Sequence, residues 1–548
     1  MTKPRVLFYV ERDLHLPFLE PIHDYLQSHD LAQTAFSAPT WFAGNETTRA
    51  RGADANLRAY LEQKSRFYPQ PQEFEPHVTI VADACHSTVP QLQHIINVGH
   101  GMICKGAFYT DSPIIRRENL SEIMLVPGPW HKRRLAENVF IPIITTGFIK
   151  SDQLFGPQAV SREDFCASLG IDPAKKIVLF APTYNPELST IPCVREKIAE
   201  IATPDRELLI KLHNVTDQCW KDLYQKMAEV YPNIHYLTDT DYAGMMHAAD
   251  LMISDVSSIY IEFLLLDKPL VLFNNPDMKN FIYYRPHEIE YLAREAARQV
   301  GTIEELFAAV TEELANPDRL SAKRRQYIPA LDYGRDGNSA KRAAQAILDW
   351  CRGRIQDTTP PTSVVLVADK WEPEQRKKTL HRFLPFFERE QVEFYFYAPQ
   401  EDKNGKGLKA IAEQSAADFF LFLHADIQIP PRLLKFLHNH FQWNAGSGVV
   451  KAITDHQMAS NILGRFLQPD RHITADAVIG FGLKNMATGQ SANGSGIPSR
   501  CVLSHRPVVQ NMQEPEDVPT LFHNLDTSAG KLKNILAADC YAWERSQV

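Results

Sequence analysis

DLMISDVSSIYIEFLLLDKPLVLF, residues 250–273, is the stretch that decides the fold. Leu251 to Ser254 is a short apolar run bounded by acids and reads as a buried strand. Asp255 is a natural N-cap, Ser257 and Ser258 fall in the first turn of an apolar helix, and PLVLF reads as a second buried strand. Strand, polar helix start, helix and strand make the repeating unit of a parallel sheet with crossover helices. The segment is also a candidate anion site. A helix start offers unpaired amides and a positive dipole end, and two hydroxyls there add donors without adding charge. Capping alone needs one side chain. The cluster lies at a strand's carboxyl end, where open α/β sheets bind ligands, and this favours a site over plain capping.

The same alternation runs outward through the chain. RVLFYV, VTIVADA, IINVG, EIMLVPG and FIPIITTG are predicted strands of a first block, residues 1–155, with FLEPIHDYLQ and HKRRLAENV as helices. A second block, 156–353, has KIVLFAPT, ELLIKLH, IHYLT, DLMISD and PLVLFN as strands. RIQDTTPPTS is polar and ends in paired prolines, which makes 354–361 the linker. The third block, 362–548, opens with strands TSVVLVADKW, VEFYFYAP and DFFLFLHAD. The expected class is therefore α/β: two Rossmann-like lobes followed by a smaller α/β domain.

Composition narrows the function. The chain has 548 residues, 44% hydrophobic and 23% charged, which is ordinary for a globular protein with room for about three domains. A formal net charge of −8 gives no general attraction for nucleic acid. Eight cysteines are scattered without a C-x-x-C pair, so neither a zinc ribbon nor a disulfide scaffold is expected, and a reducing compartment is. The apolar run at the N-terminus is soon interrupted by charge, so no signal peptide is expected. The expected place is the cytoplasm, with a peripheral position at the cytoplasmic face of the membrane as the variant. The cluster Arg116, Arg117, Lys132, Arg133 and Arg134 would suit an anionic acceptor or such a surface, although a solvated basic face is the simpler reading.

Polar groups at strand ends carry the candidate chemistry. Pro182 and Thr183 follow VLFA, His213 follows LLIKL, and Asp255 to Ser258 follow LMIS. In the first block INV leads into Gly99, His100 and Gly101, with Lys105 shortly after. Flanking glycines let the chain turn tightly and leave the imidazole approachable. Lys105 reads either as a phosphate contact or as a surface charge. Glu262, one turn past Ser258, reads equally as a site residue and as part of a solvated helix face.

Residues 1–353 resemble the CDP-glycerol glycerophosphotransferases, the teichoic-acid primases and polymerases. NVGHGMICKG looks like that family's histidine–glycine motif, and TTGFIKSDQLF, VLFAPTY, IKLHN, SDVSSIYIEFLLLDKPLVLF and DGNSAKRAAQAILDW look like its later segments, in the family's order. Each motif alone is weak, and six in order are specific. The chain departs from the pattern at Gly99, where an aromatic residue would precede His100, and at Asn185, Asn214 and Glu262. The resemblance implies a GT-B-like pair of lobes and transfer of an alditol phosphate from a CDP-alditol to a hydroxyl, with release of CMP. The acceptor would be a polysaccharide or a lipid-linked polymer. The resemblance makes His100 the general base and His213 the second catalytic residue, with Pro182, Thr183, Asp255, Ser257, Ser258 and Glu262 on the donor side and Gly101 and Lys105 toward the acceptor or phosphate. A base is what an attacking hydroxyl needs, and donors are what the phosphates need. No metal or cofactor is expected in these two lobes.

The third block resembles a small GT-A nucleotide-sugar transferase through GKGLKAIAEQSAADFFLFLHADIQIPPRLLKFL. Where that fold places two carboxylates on a divalent cation, this chain has His424, Ala425 and Asp426. One hard oxygen ligand and one imidazole would remain for Mg or Mn. The balance falls to a degenerate binding or docking domain over a second working transferase. The competing readings of the whole are a GT-B glycosyltransferase using a nucleotide sugar, and a non-catalytic assembly protein. Capsule or teichoic-acid-like polymer synthesis is the expected setting.

Overall fold

The computed structural model describes residues 3–39, 55–83, 94–102, 113–156, 160–238, 242–355, 359–387, 392–402, 407–429, 432–453, 491–493, 499–512, 515, 517–528, 533–541 and 543–544. In the first block the apolar runs form β1 (Arg5–Tyr9), β2 (Gln33–Ser37), β3 (Val78–Val81), β4 (Ile95–Asn97), β5 (Ile123–Val126) and β6 (Ile143–Thr145). All pair in parallel in the order β2-β1-β3-β4-β5-β6. The sequence reading missed β2, because Gln33-Thr34-Ala35-Phe36-Ser37 holds one large apolar side chain. Its inner residues are nonetheless fully buried against β1, so neighbours outweigh propensity.

The second block forms β7 (Lys176–Phe180), β8 (Arg206–Ile210), β9 (Ile234–Tyr236), β10 (Leu251–Ser254), β11 (Leu270–Phe273) and β12 (Arg298–Val300). These are also all parallel, in the order β12-β11-β10-β7-β8-β9. That is the doubly wound dinucleotide-fold order, and its direction reverses between β7 and β10. The segment that opens the sequence reading thus lies at the switch point. Asp250 accepts from the Ile177 amide (2.8 Å), Ser254 Oγ donates to the Ala181 carbonyl (2.6 Å), and Lys268 Nζ donates to the carbonyls of His247 and Ala249 (2.6 and 2.8 Å).

After residue 358, β13 (Thr362–Val367), β14 (Val392–Tyr397) and β15 (Phe419–His424) pair in parallel. A short β16 (Ile427–Gln428) comes next. β17 (Ser447–Ile453), β18 (Ser491–Asn493), β19 (Cys501–His505) and β20 (Lys533–Tyr541) complete a mixed sheet in the order β14-β13-β15-β19-β17-β20-β18, and β21 (Trp543–Glu544) pairs with β16. Among the described residues no helix is long and apolar enough to cross a membrane.

The lobes are joined by a return of the chain. The Ser339–Cys351 helix, which closes the second block, packs against the Leu16–Ser28 helix of the first. Its own N-cap, Asn338, makes no side-chain cap bond, and Asp152 of the first block caps it instead, accepting from the Ser339 and Ala340 amides (2.9 and 2.8 Å). Gly147 stands opposite at φ +98, where an added Cβ would meet Ser339 Oγ and, at 2.7 Å, the Tyr333 carbonyl. Only glycine fits that approach. The TTGFIKSDQLF and DGNSAKRAAQAILDW segments are thus two halves of one contact.

Asp152→Ala removes this cap, so the variant should lose about 1–2 kcal/mol in urea denaturation. The Ser339 and Ala340 amides should exchange faster in the same variant. Unchanged exchange at those two amides would show that Asp152 is not the cap.

Candidate active site

In the first lobe, β4 ends at Asn97 and the chain turns through Gly99 (φ +67) and Gly101 (φ +72), with His100 between them. The turn is built from below. Asn97 Oδ1 accepts from the Gly99 amide (2.8 Å), and Asn97 Nδ2 donates to Glu118 Oε2 (2.6 Å) in the buried interior. His100 Nδ1 lies 3.0 Å from the Ala82 carbonyl, and a carbonyl can only accept. The proton therefore sits on Nδ1, and Nε2 keeps the lone pair that a general base needs. Asp83, next to Ala82, places Oδ2 3.7 Å from the same Nδ1 and is held by the Arg12 guanidinium. His15 completes the group, with Nε2 4.0 Å from Asp83 Oδ2 and its ring 5.4 Å from that of His100. Burial, and next the nearby His100, hold His15 down at about 3, so it is a neutral imidazole. Neither Asp83 nor His15 was singled out in the sequence. Asp83 closes a predicted strand end, VTIVADA, and was legible by the same rule that found His100. His15 had no signal beyond its residue type.

Glu118 was also not foreseen, and it is the most perturbed acid in this lobe. Burial pushes its carboxyl up to about 8; the Asn97 hydrogen bond pulls it down and the Asp83 charge adds to the rise. Lys105 lies outside the described residues. Gly101 is where the sequence placed it, half-buried beside His100.

In the second lobe the strand-end residues divide into scaffold and surface. Asp255 is the main correction: it is fully buried and does not cap the helix. Its carboxylate accepts from the Thr183 amide (2.9 Å), the Thr190 amide (2.8 Å) and Thr190 Oγ1 (3.1 Å), and so is already spent. Burial raises its pKa to about 6 against those same donors. The N-cap of the Ser258–Leu264 helix is Ser257, whose side chain makes no cap bond, and both serines are half-buried. Pro182 and Thr183 are buried, Thr183 to 2% exposure, and they supply backbone shape more than side-chain contact. Glu262 is neither a solvated residue nor a free ligand. It is 4% exposed and paired with Lys150 (3.1 Å), whose ammonium also sits 3.6 Å above the Tyr242 ring. Lys150 follows β6 and Glu262 follows β10, so this contact ties the lobes at the carboxyl-end side of both sheets.

His213 is exposed after β8, and its Nδ1 accepts from the Val215 amide (3.3 Å). This places the ring proton on Nε2, the opposite tautomer from His100. Its ring lies 4.7 Å from the exposed Tyr184. In the third unit His424 ends β15 with Nδ1 accepting from the Asp426 amide (3.2 Å), while the Asp426 side chain is 72% exposed and its oxygen 3.7 Å away. The basic cluster is dispersed: Arg116 lies 4.6 Å over the Trp443 ring, Arg134 pairs with Glu288 (2.5 Å), and only Lys132 and Arg133 face solvent as foreseen.

Two open parallel sheets whose carboxyl-end loops are tied by the Lys150–Glu262 pair, with polar groups on those loops, make a two-lobed, doubly wound α/β protein. Residues 110–349 match the family model described as CDP-Glycerol:Poly(glycerophosphate) glycerophosphotransferase. The chain is 29% identical over 173 residues to the teichoic acid glycerol-phosphate primase of Bacillus subtilis (strain 168), covering 30% of this chain and 42% of that protein. It is 33% identical over 110 residues to the primase of Bacillus spizizenii, covering 20% and 27%. The chain thus spans less than half the length of these curated relatives. Among solved structures, a wall teichoic acid polymerase superposes with a TM-score of 0.44 at 16% identity, over 65% of this chain and 89% of that one.

Glu118→Gln keeps an acceptor for Asn97 and removes the ionisable group. In wild type the unfolded carboxyl loses its proton near 4.5 and the folded one near 8, so its stabilising contribution is complete below about 4.5 and is lost as pH rises to about 8. The variant should match wild type at about pH 4.5 and become progressively more stable than it toward pH 8 in urea midpoints. Parallel pH curves would remove Glu118 from this role.

Proposed function

We propose that the chain transfers an alditol phosphate, glycerol phosphate or a close relative, from a CDP-alditol to a hydroxyl of a growing surface polymer, with release of CMP. The observation that carries this reading is the tautomer pair within a chain whose residues 110–349 match the glycerophosphotransferase model. His100 presents a lone pair on a glycine-flanked turn, and His213 presents a proton. Nε2 of His100 takes the proton of the acceptor hydroxyl as its oxygen attacks phosphorus. Nε2–H of His213, with the Ser257 and Ser258 hydroxyls, meets the charge that collects on the donor's phosphates. Asp255 acts by holding the loops that carry these groups, and Glu262 by holding the lobes together.

His100→Ala should lower CMP release from CDP-glycerol by ~10²- to 10⁴-fold and leave donor affinity by calorimetry within a few-fold of wild type. Normal turnover in the variant would defeat the assignment. The same assay run with CDP-ribitol and with UDP-sugars decides between this reading and a nucleotide-sugar transferase; UDP release that depends on His100 would favour the latter.

We propose a GT-A-like but degenerate third unit that docks and does not transfer. The support is that the first carboxylate position is His424, whose Nδ1 is engaged by the Asp426 amide, which leaves one exposed carboxylate. A single carboxylate holds a hard divalent cation poorly. Asp426→Ala should change neither CMP release nor any nucleotide release from UDP-sugars. EDTA-sensitive sugar transfer lost in this variant would overturn the degenerate reading.

A further inference from the structure

Among the described residues, His15, Asp83 and His100 bring one ligand atom each to within 4.8 Å of one another. We infer that these three side chains form a binding site for a divalent transition-metal ion of the zinc class. Two imidazoles and one carboxylate are the donor set that suits such an ion and disfavours magnesium or calcium, which take oxygen. The centre of three atoms no more than 4.8 Å apart lies within about 2.8 Å of each, against roughly 2.0–2.2 Å for zinc bonds to imidazole or carboxylate, so a small contraction closes the site.

Two further observations point to a ligand. His15 is fully buried, and neither of its ring nitrogens has a hydrogen-bond partner among the described residues. A buried polar group left without a partner is costly, and a metal ion between His15 and Asp83 satisfies one of those nitrogens. The His100 side chain is 32% exposed, so its imidazole has space on the solvent side in which to adjust. Arg12 now holds Asp83 Oδ2. Its side chain is 38% exposed, so the guanidinium has solvent to swing into when a cation replaces it on the carboxylate.

Occupancy has a consequence that rests on the proposed role of His100. An imidazole coordinated through Nδ1 must carry its proton on Nε2, and one coordinated through Nε2 has no lone pair left there. In either case His100 cannot accept a proton from a hydroxyl. Metal and base function therefore exclude each other, and the ion is an inhibitor of transfer.

The test uses Co²⁺ as the probe, because it takes zinc's place and its d–d absorption reports imidazole coordination. Wild-type protein freed of metal by EDTA and desalted should bind one equivalent of Co²⁺ with visible bands, displaced by Zn²⁺. His15→Gln and Asp83→Asn should each weaken that binding at least tenfold while keeping the far-ultraviolet circular dichroism of wild type. Asp83 is partly exposed, so its variant keeps the test valid if the buried His15 variant misfolds. Absence of a saturable Co²⁺ spectrum in wild type, or full retention of it in a folded Asp83→Asn, would overturn the site. In the transfer assay one equivalent of Zn²⁺ should abolish CMP release and EDTA should restore it. Metal-free protein with no transfer at all would count against the proposed function and leave the spectroscopic result standing.

Discussion

One buried carboxylate, Asp255, fixes the geometry on which the second lobe's site depends. It has no exposed surface, and it converges the Thr183 amide, the Thr190 amide and the Thr190 hydroxyl from the loop after β7 onto the end of β10. Its own carbonyl accepts from Arg294, itself buried, which reaches on to the Asn274 side chain beyond β11. Three neighbouring strands thus end in one hydrogen-bonded node at the sheet's switch point. Burial makes the ionised form expensive, as its raised pKa records, and the converging donors offset that cost. Hydrogen bonds to a charged group contribute about 1.5–3 kcal/mol each, so these donors hold the node together, and the half-buried serines follow directly on it.

The lobes are held by the same economy of buried charge. Lys150 and Glu262 pair across them, Asp332 accepts from the Phe148 amide (2.7 Å) and Ser151 Oγ (2.8 Å), and Asp152 caps a helix that belongs to the other block in sequence. Burial raises Asp332 to about 6, so it too depends on those donors. These contacts occupy polar residues of the TTGFIKSDQLF, SDVSSIYIEFLLLDKPLVLF and DGNSAKRAAQAILDW segments. Much of what those motifs encode is therefore assembly of the two lobes.

The sheets were legible in the sequence because β1, β3, β4, β5, β7, β8, β10, β11, β13 and β15 carry apolar runs, as strands buried on both faces must, while the aromatic VEFYFY marks the half-buried edge strand β14. β2 was not, since QTAFS is buried by its neighbours and not by its composition. The candidate site was legible only in part. His100 and His213 stand at strand ends next to turn residues, which a reader can find by pattern. Asp255 and Glu262 were found by the same pattern, but the N-cap reading of Asp255 and the solvated-face alternative for Glu262 do not hold, because spacing reveals that an acid lies near a helix start and not whether another loop has already claimed it. Asp83, His15 and Glu118 converge on His100 from three separate parts of the chain, and only the folded order of the strands brings them together.

Among the described residues the third unit meets the first lobe at residues 119–122 and again at 138–140. Arg432 donates to the carbonyls of Leu120, Asn119 (3.3 Å) and Ser121 (2.7 Å), and Trp443 Nε1 donates to the Asn138 carbonyl (3.3 Å). Burial would push the neighbouring Glu122 carboxyl up, but Arg432, the His94 hydrogen bond and Lys435 overcome it and hold it down at about 2. The residues so gripped follow directly on Glu118, whose carboxyl supports Asn97, which in turn shapes the turn that carries His100. Arg432 is thus connected to the His100 turn through covalently adjacent residues and two hydrogen bonds. The third unit thus packs behind the backbone that leads to the His100 turn, and on the reading proposed above that contact requires docking but no metal and no donor of its own.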